Sequence, residues 1–169
     1  MLKTVSRDEF KKLKDILKQY FTHLSDYPDS LMTRFYGLHK VEWFKRGTAN
    51  VMKKYLVVMN NVFRGLDIGD RFDLKGSTVG RRTLREGSNK YHDPLRDKTE
   101  VLKDLDWMEN VKVLNIIQNE DQKHKLEDIL ARDAQFFEET NIIDYSLLLG
   151  VVKNKEVVLE QIANDEIST

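Results

Sequence analysis

Residues 72–81 read FDLKGSTVGR. A lysine, a glycine and a serine in a row, shortly after a hydrophobic run that ends at Phe63, come close to a phosphate-binding loop. That loop requires G-x-x-x-x-G-K-[ST], with glycine ahead of the lysine. Here Lys75 precedes Gly76, and the nearest upstream glycine is Gly69. The stretch is therefore not a P-loop. What Lys75 serves depends on the chain around it.

The chain has 169 residues, the size of one domain or a large part of one. A chain of that length buries roughly two-thirds of its unfolded surface. With 40% hydrophobic and 33% charged residues, it falls among soluble globular sequences and away from disordered ones. No apolar run approaches the roughly 20 residues of a membrane span. The opening MLKTVSRDEF has no apolar core of signal-peptide length. There is no cysteine, which excludes disulfides, thiolate metal sites and cysteine nucleophiles.

The 28 basic and 28 acidic residues cancel, so no global attraction to nucleic acid is indicated. Their placement is uneven. Residues 71–98 carry Arg71, Lys75, Arg81, Arg82, Arg85, Lys90, Arg96 and Lys98 against Asp73, Glu86, Asp93 and Asp97. Residues 119–139 lean the other way, towards acids. A local basic stretch suits phosphate or an anionic membrane, and equally an ordinary solvated loop.

MLKTV reads as the end of a strand. Ser6 and Glu9 form an S-x-x-E capping box, with Val5 and Phe10 placed for a hydrophobic staple. Phe10, Leu13, Leu17, Tyr20, Phe21 and Leu24 follow helical spacing until SDYPDS, with Pro28, stops the helix. SLMTRFYGLHKVEWF and NVMKKYLVVMNNVF, joined by KRGTAN, predict a β-hairpin. RGLDIGDR reads as a loop into the opening motif, and residues 82–106, with Pro94, as a mostly irregular excursion. Residues 119–140 predict a second helix with Leu126, Ile129, Leu130, Ala134 and Phe137 on one face. IIDYSLLLGVV and EVVLEQI around KNK predict another hairpin. The class is α+β.

Lys3 on the strand end and Glu9 on the first helix match the way kinases pair a strand lysine with a helix glutamate to hold phosphates. The capping box explains Glu9 equally well. YLVVMNNVF, 55–63, reads either as a core strand with a turn or as a hinge whose backbone edge meets a base. Asp144 follows Ile142 and Ile143 and precedes Leu147–Leu149. A carboxylate among apolar residues is costly unless hydrogen-bonded or functional. It reads as a general base or as a turn aspartate. His23, His39, His92 and His124 have no metal-ligand spacing and read as structural or surface residues.

In order and spacing, LKT, SLMTRFYGLHKV, VVMNNVF, FDLKGSTVGR, LKDLDW and IIDYSLLLGV resemble the phosphatidylinositol phosphate kinase family over about residues 1–152. DLKGS and DYSLL are the family's most specific signatures. The resemblance implies transfer of the ATP γ-phosphate to an inositol-ring hydroxyl of a phosphoinositide, on a fold distantly related to protein kinases. KDLDW leans towards phosphatidylinositol 4-phosphate as substrate. By the same resemblance Lys3 and Glu9 hold the ATP phosphates. Met59, Asn61, Val62 and Phe63 form the adenine hinge, and Leu148 packs under the base. Asp144 is the catalytic aspartate. Lys75 meets the transferring phosphate or the headgroup. Arg81 belongs to the extended DLKGSxxxR pattern and, with Arg82, faces lipid. ATP, magnesium and a phosphoinositide at the cytoplasmic face of a membrane are the expected ligands and partners, with homodimerisation left open.

The expectation is a single kinase-like domain incomplete at both ends, with 153–169 weakly assigned. The family's glycine-rich loop is expected ahead of Lys3 and its magnesium-binding aspartate beyond the chain, so that turnover by these residues alone is expected to be weak or absent. The alternative is a truncated, inactive phosphoinositide- or membrane-binding module.

Overall fold

A computed structural model describes residues 1–47, 49–86, 97, 99–110 and 119–152. The described chain falls into two compact units, each with its own three-stranded sheet. The mixed helix and sheet agree with the α+β class expected from the sequence. The downstream partner of the second expected hairpin, EVVLEQI, lies outside the described residues.

The first unit comprises Met1–Val62 and Asn119–Ile142. Its sheet has the order β1-β3-β2, formed by β1 (Leu2–Val5), β2 (Phe35–Phe44) and β3 (Val51–Met59), all antiparallel. The hairpin read from SLMTRFYGLHKVEWF and NVMKKYLVVMNNVF is therefore present. Helix α1 (Arg7–Asp26) opens with the anticipated capping box: Ser6 Oγ accepts from Glu9 N, and Glu9 Oε2 accepts from Ser6 N at 2.6 Å. It ends at Tyr27, which precedes Pro28 and has left the helical region.

Helix α3 (Glu120–Glu139) is capped by Asn119, whose side chain accepts from Asp121 N and Gln122 N. At its other end Asn141 takes a positive φ of 52°. Asn141 N donates to Glu138 O and Ile142 N to Phe137 O, the paired bonds of a Schellman turn.

Both helices bury a stripe turned by about one residue from the expected one. In α1 the buried positions are Ile16, Tyr20 and His23, while Leu17 and Phe21 are exposed. In α3 they are Ile129, Asp133 and Phe136. The cause is polar. His23 Nε2 meets Asp133 Oδ1 at 2.8 Å, and Asp133 Oδ2 accepts from Leu31 N at 2.8 Å. A hydrogen-bonded polar pair can occupy a core stripe that an apolar pattern skips. Around it Ile16, Tyr20, Met32 and Phe136 form the core, with Leu13, Leu24, Phe35, Phe137 and Ile142 packed on it.

The second unit comprises Phe63–Gln118 and Ile143–Thr169. Its described sheet has the order β5-β4-β6, from β4 (Ile68–Leu74), β5 (Val101–Leu102) and β6 (Leu147–Val152). β4 runs parallel to β5 and antiparallel to β6. Helix α2 (Asp104–Asn110) follows β5. One sequence expectation changes here. RGLDIGDR is not all loop, since β4 begins at Ile68 and runs into the opening motif as far as Leu74. Within residues 82–106, expected to be mostly irregular, lie β5 and the start of α2. β4 carries Gly69, Asp70, Arg71 and Asp73, residue types of poor strand propensity; pairing on both edges overrides them.

Phe72, Leu84 and Leu102 make the core of this unit, with Leu74, Trp107, Leu149 and Val151 around them. Phe72 and Trp107 meet edge to face with centroids 5.0 Å apart.

Candidate functional site

The most specific stretches of the sequence converge in the second unit. Lys75 is the first residue past the end of β4, and Asp144 stands three residues before β6. Because Leu74 and Leu147 are register partners, the two strand ends lie together. Lys75 Nζ donates to Asp144 Oδ1. The lysine side chain is 24% exposed and the carboxylate 78%. The apolar setting suggested by IIDYSLLL is thus not a burial: Ile143, at 86% exposed, also faces solvent. Asp144 sits on a turn with φ +63°. Aspartate tolerates this left-handed conformation better than most residues, and such conformations cluster at functional sites.

The loop that carries Lys75 is held by ionised groups. Asp104 Oδ1, at the start of α2, accepts from the consecutive amides Lys75 N and Gly76 N at 3.0 and 2.9 Å. Gly76 has φ +68°, which glycine adopts without strain. Two successive amides turned onto one anion form a nest, the device a P-loop uses for phosphate. Here the protein's own carboxylate fills it.

Arg81 extends the arrangement. Its Nε donates to Asp104 Oδ2 at 2.8 Å, and one terminal nitrogen donates to Asp73 Oδ2 at 2.7 Å and also to the Asp73 carbonyl. Asp73 in turn is bonded by the Ser146 hydroxyl. For both carboxyls burial is the largest influence and pushes upward. The Ser146 and Arg81 hydrogen bonds outweigh it at Asp73, and Arg81 with the loop amides outweighs it at Asp104, so both titrate below the ordinary value.

Asp106, 1% exposed, receives Thr83 N, Leu84 N and Lys103 N at 2.8–3.0 Å and fixes the chain after Arg81. Arg82 forks onto Glu109, with Nη1 to Oε2 at 2.5 Å. Arg81 and Arg82 are therefore paired with acids, which offsets the charge they would show to lipid. Asp104 and Asp106 were not singled out by sequence reasoning. Their signal was KDLDW itself, whose two carboxylates fall in one short turn.

The remaining expected residues are placed as follows. Lys3 lies on β1 opposite Val57. Glu9 is engaged in the cap, and its carboxyl lies below the ordinary value mainly through the Ser6 hydrogen bonds; Lys3 is the smallest contributor. Among the described residues no Lys3–Glu9 ion pair forms. Met59 N donates to Met1 O, and Met59 O accepts from the Met1 amine at 2.6 Å. Asn60 N donates to Arg34 O, and the Asn60 side-chain oxygen accepts from Arg34 N. The hinge edge at Met59 and Asn60 is thus occupied, while Val62 beyond them is 45% exposed.

Phe63 belongs to the second unit, where its ring covers Gly150; a Cβ there would lie 2.7 Å from it. Leu148, on β6 opposite Asp73, is 45% exposed. Among the described residues there is no cluster of three or more metal-binding side chains, and no helix is long and apolar enough to cross a membrane.

A family model described as Phosphatidylinositol-4-phosphate 5-Kinase matches residues 1–168. A phosphatidylinositol 4-phosphate 5-kinase of Plasmodium falciparum is 38% identical over 152 residues, covering 89% of this chain and 8% of the relative. Phosphatidylinositol 4-phosphate 5-kinase 1 of Arabidopsis thaliana is 39% identical over 153 residues, covering 89% and 18%. A probable phosphatidylinositol phosphate kinase of Dictyostelium discoideum is 35% identical over 152 residues, covering 89% and 19%. The chain thus spans less than a fifth of the length of these relatives.

Proposed function

Since the chain belongs to the phosphatidylinositol-4-phosphate 5-kinase family, we propose that it carries the phosphoryl-transfer centre of a kinase that converts phosphatidylinositol 4-phosphate to the 4,5-bisphosphate with ATP. The single observation that carries this reading is the Lys75–Asp144 bond, which joins DLKGS to DYSLL at one solvent-open point.

Phosphoryl transfer asks a protein mostly for positioning and for charge against the equatorial phosphate oxygens. Asp144, exposed on its turn, orients the attacking ring hydroxyl and receives its proton. The Lys75 ammonium, already beside that carboxylate, turns to a phosphate oxygen of the nucleotide or of the headgroup. Leu148, in the same unit as Asp144, offers the base an apolar surface.

Magnesium would take several oxygen donors, and no group of three or more metal-binding side chains among the described residues fits it.

Membrane association is peripheral in this reading, at the cytoplasmic face. Of the basic stretch, Arg71 and Arg85 keep unpaired charge among the described residues, each worth about 1 kcal/mol near an anionic surface.

The test is phosphate incorporation from ATP into phosphatidylinositol 4-phosphate vesicles by the whole polypeptide in which the chain is expressed. Asp144→Asn is expected to lower kcat by about a thousandfold. Turnover within about tenfold of wild type would remove Asp144 from the role.

A further inference from the structure

The geometry points to Asp104 as the positioning residue of Lys75: by filling the nest of the Lys75 and Gly76 amides and anchoring Arg81, it aims the lysine at Asp144. This rests on the assignment of Lys75 and Asp144 to phosphoryl transfer. It adds a residue outside both signatures and gives it a task that touches neither substrate nor reacting atom.

Three features support it. First, both oxygens of Asp104 are engaged, one by two loop amides and the other by Arg81 Nε. A side chain 9% exposed with all its bonds directed at one loop has little other work. Second, the bonds form a continuous chain. Asp104 holds Arg81, Arg81 holds Asp73 by side chain and carbonyl, and Asp73 is held by Ser146, two residues from Asp144. The Lys75 and Asp144 turns are thus tied through one alternation of charge, not only through their own contact. Third, α2 closes the loop from its other end, since Leu105 N donates to Arg81 O at 3.0 Å.

A charged acceptor suits this place better than a neutral one. A lone carboxylate can receive two amides and a guanidinium at once, and bonds to ionised partners are about twice as strong as neutral ones. With the nest filled from within, a phosphate cannot be captured by the loop backbone and drawn away from the lysine. The reversed order of Lys75 and Gly76 follows: the lysine must stand at the strand end, facing Asp144, with the glycine after it to turn the amides inward.

The experiment compares Asp104→Ala and Asp104→Asn with wild type in the whole polypeptide. In the 15N,13C-labelled whole polypeptide, Asp104→Ala is expected to speed hydrogen exchange at the Lys75 and Gly76 amides by about tenfold or more, the value of one hydrogen bond to an ionised partner. The Phe72 amide should keep its protection, which reports that the sheet is intact. The Asp144 side-chain carboxyl 13C signal should move in the direction produced by Lys75→Met. On phosphatidylinositol 4-phosphate vesicles kcat should fall about a hundredfold, the scale of a small misplacement. The lipid KM should stay within about threefold. Asp104→Asn, which keeps an acceptor for the amides, should recover part of both losses.

An unmoved Asp144 signal with the Lys75 amide freed would overturn the proposal, as would a kcat within about twofold of wild type. Failure of the underlying assignment looks different: Lys75→Met and Asp144→Asn would then leave turnover intact, whatever Asp104→Ala does to the amides.

Discussion

Glu9 is the residue on which a structural and a catalytic role can be separated most cleanly. Its carboxylate accepts from Ser6 N at 2.6 Å, while Ser6 Oγ accepts from Glu9 N at 3.1 Å. The kinase-like role would instead turn it to Lys3. Glutamine at the same position can still close the capping box but carries no charge for a lysine. Two contributions to stability are at stake. The bond from Ser6 N to the Glu9 carboxylate is worth about 1 kcal/mol. A negative charge in the first turn, against the helix dipole, is worth about 0.5 kcal/mol at an exposed site.

Glu9→Ala is therefore expected to cost about 1.5 kcal/mol and Glu9→Gln about 0.5 kcal/mol, read from urea midpoints at neutral pH. The carboxyl lies below its ordinary value. Its contribution is thus present above the unfolded value of about 4.3 and fades as pH falls through the lower folded value, so the gap between wild type and Glu9→Gln should close below about pH 4. In the vesicle assay Glu9→Gln is expected to retain at least about a third of wild-type kcat, since no Lys3–Glu9 pair is formed. A fall of about a hundredfold or more, without matching loss of stability, would refute the reasoning and make Glu9 the lysine's partner during turnover.

Further outcomes follow from the two cores and the site's carboxylates. Asp133→Ala leaves His23 and Leu31 N without their buried acceptor and should destabilise the first unit by about 3 kcal/mol in urea unfolding. The lowered carboxyls of Asp73 and Asp104 contribute stability that is full above about pH 4 and is lost as pH falls through their folded values. Asp73→Asn should flatten part of that acid limb in the second unit, followed through the Trp107 environment.

The sequence made the local devices legible. The S-x-x-E box, the stop at Pro28 and the hairpin around KRGTAN depend on neighbours in the chain, and each is found where its residues fall. What was not legible depends on distant partners. An apolar pattern passes over His23 and Asp133, because neither belongs in a core until the other is beside it. β4 hides behind Gly69, Asp70 and Arg71, since only β5 and β6 make a strand of it.

At the site, DLKGS and DYSLL marked Lys75 and Asp144, and their contact is what the structure adds. KDLDW could be quoted as a signature without revealing that its first aspartate fills the nest behind Lys75. Nor could the basic count of residues 71–98 show that Arg81 and Arg82 face acids within the fold.

The most direct measurement is a double-mutant cycle on kcat for Lys75→Met and Asp144→Asn, with ATP and phosphatidylinositol 4-phosphate vesicles. Residues that act as one unit are strongly non-additive. The expected result is that each single variant loses most of the activity and that the double variant is slower than the worse single by less than about tenfold. Losses that multiply, or a single variant with near wild-type kcat, would contradict a joint role for the lysine of DLKGS and the aspartate of DYSLL.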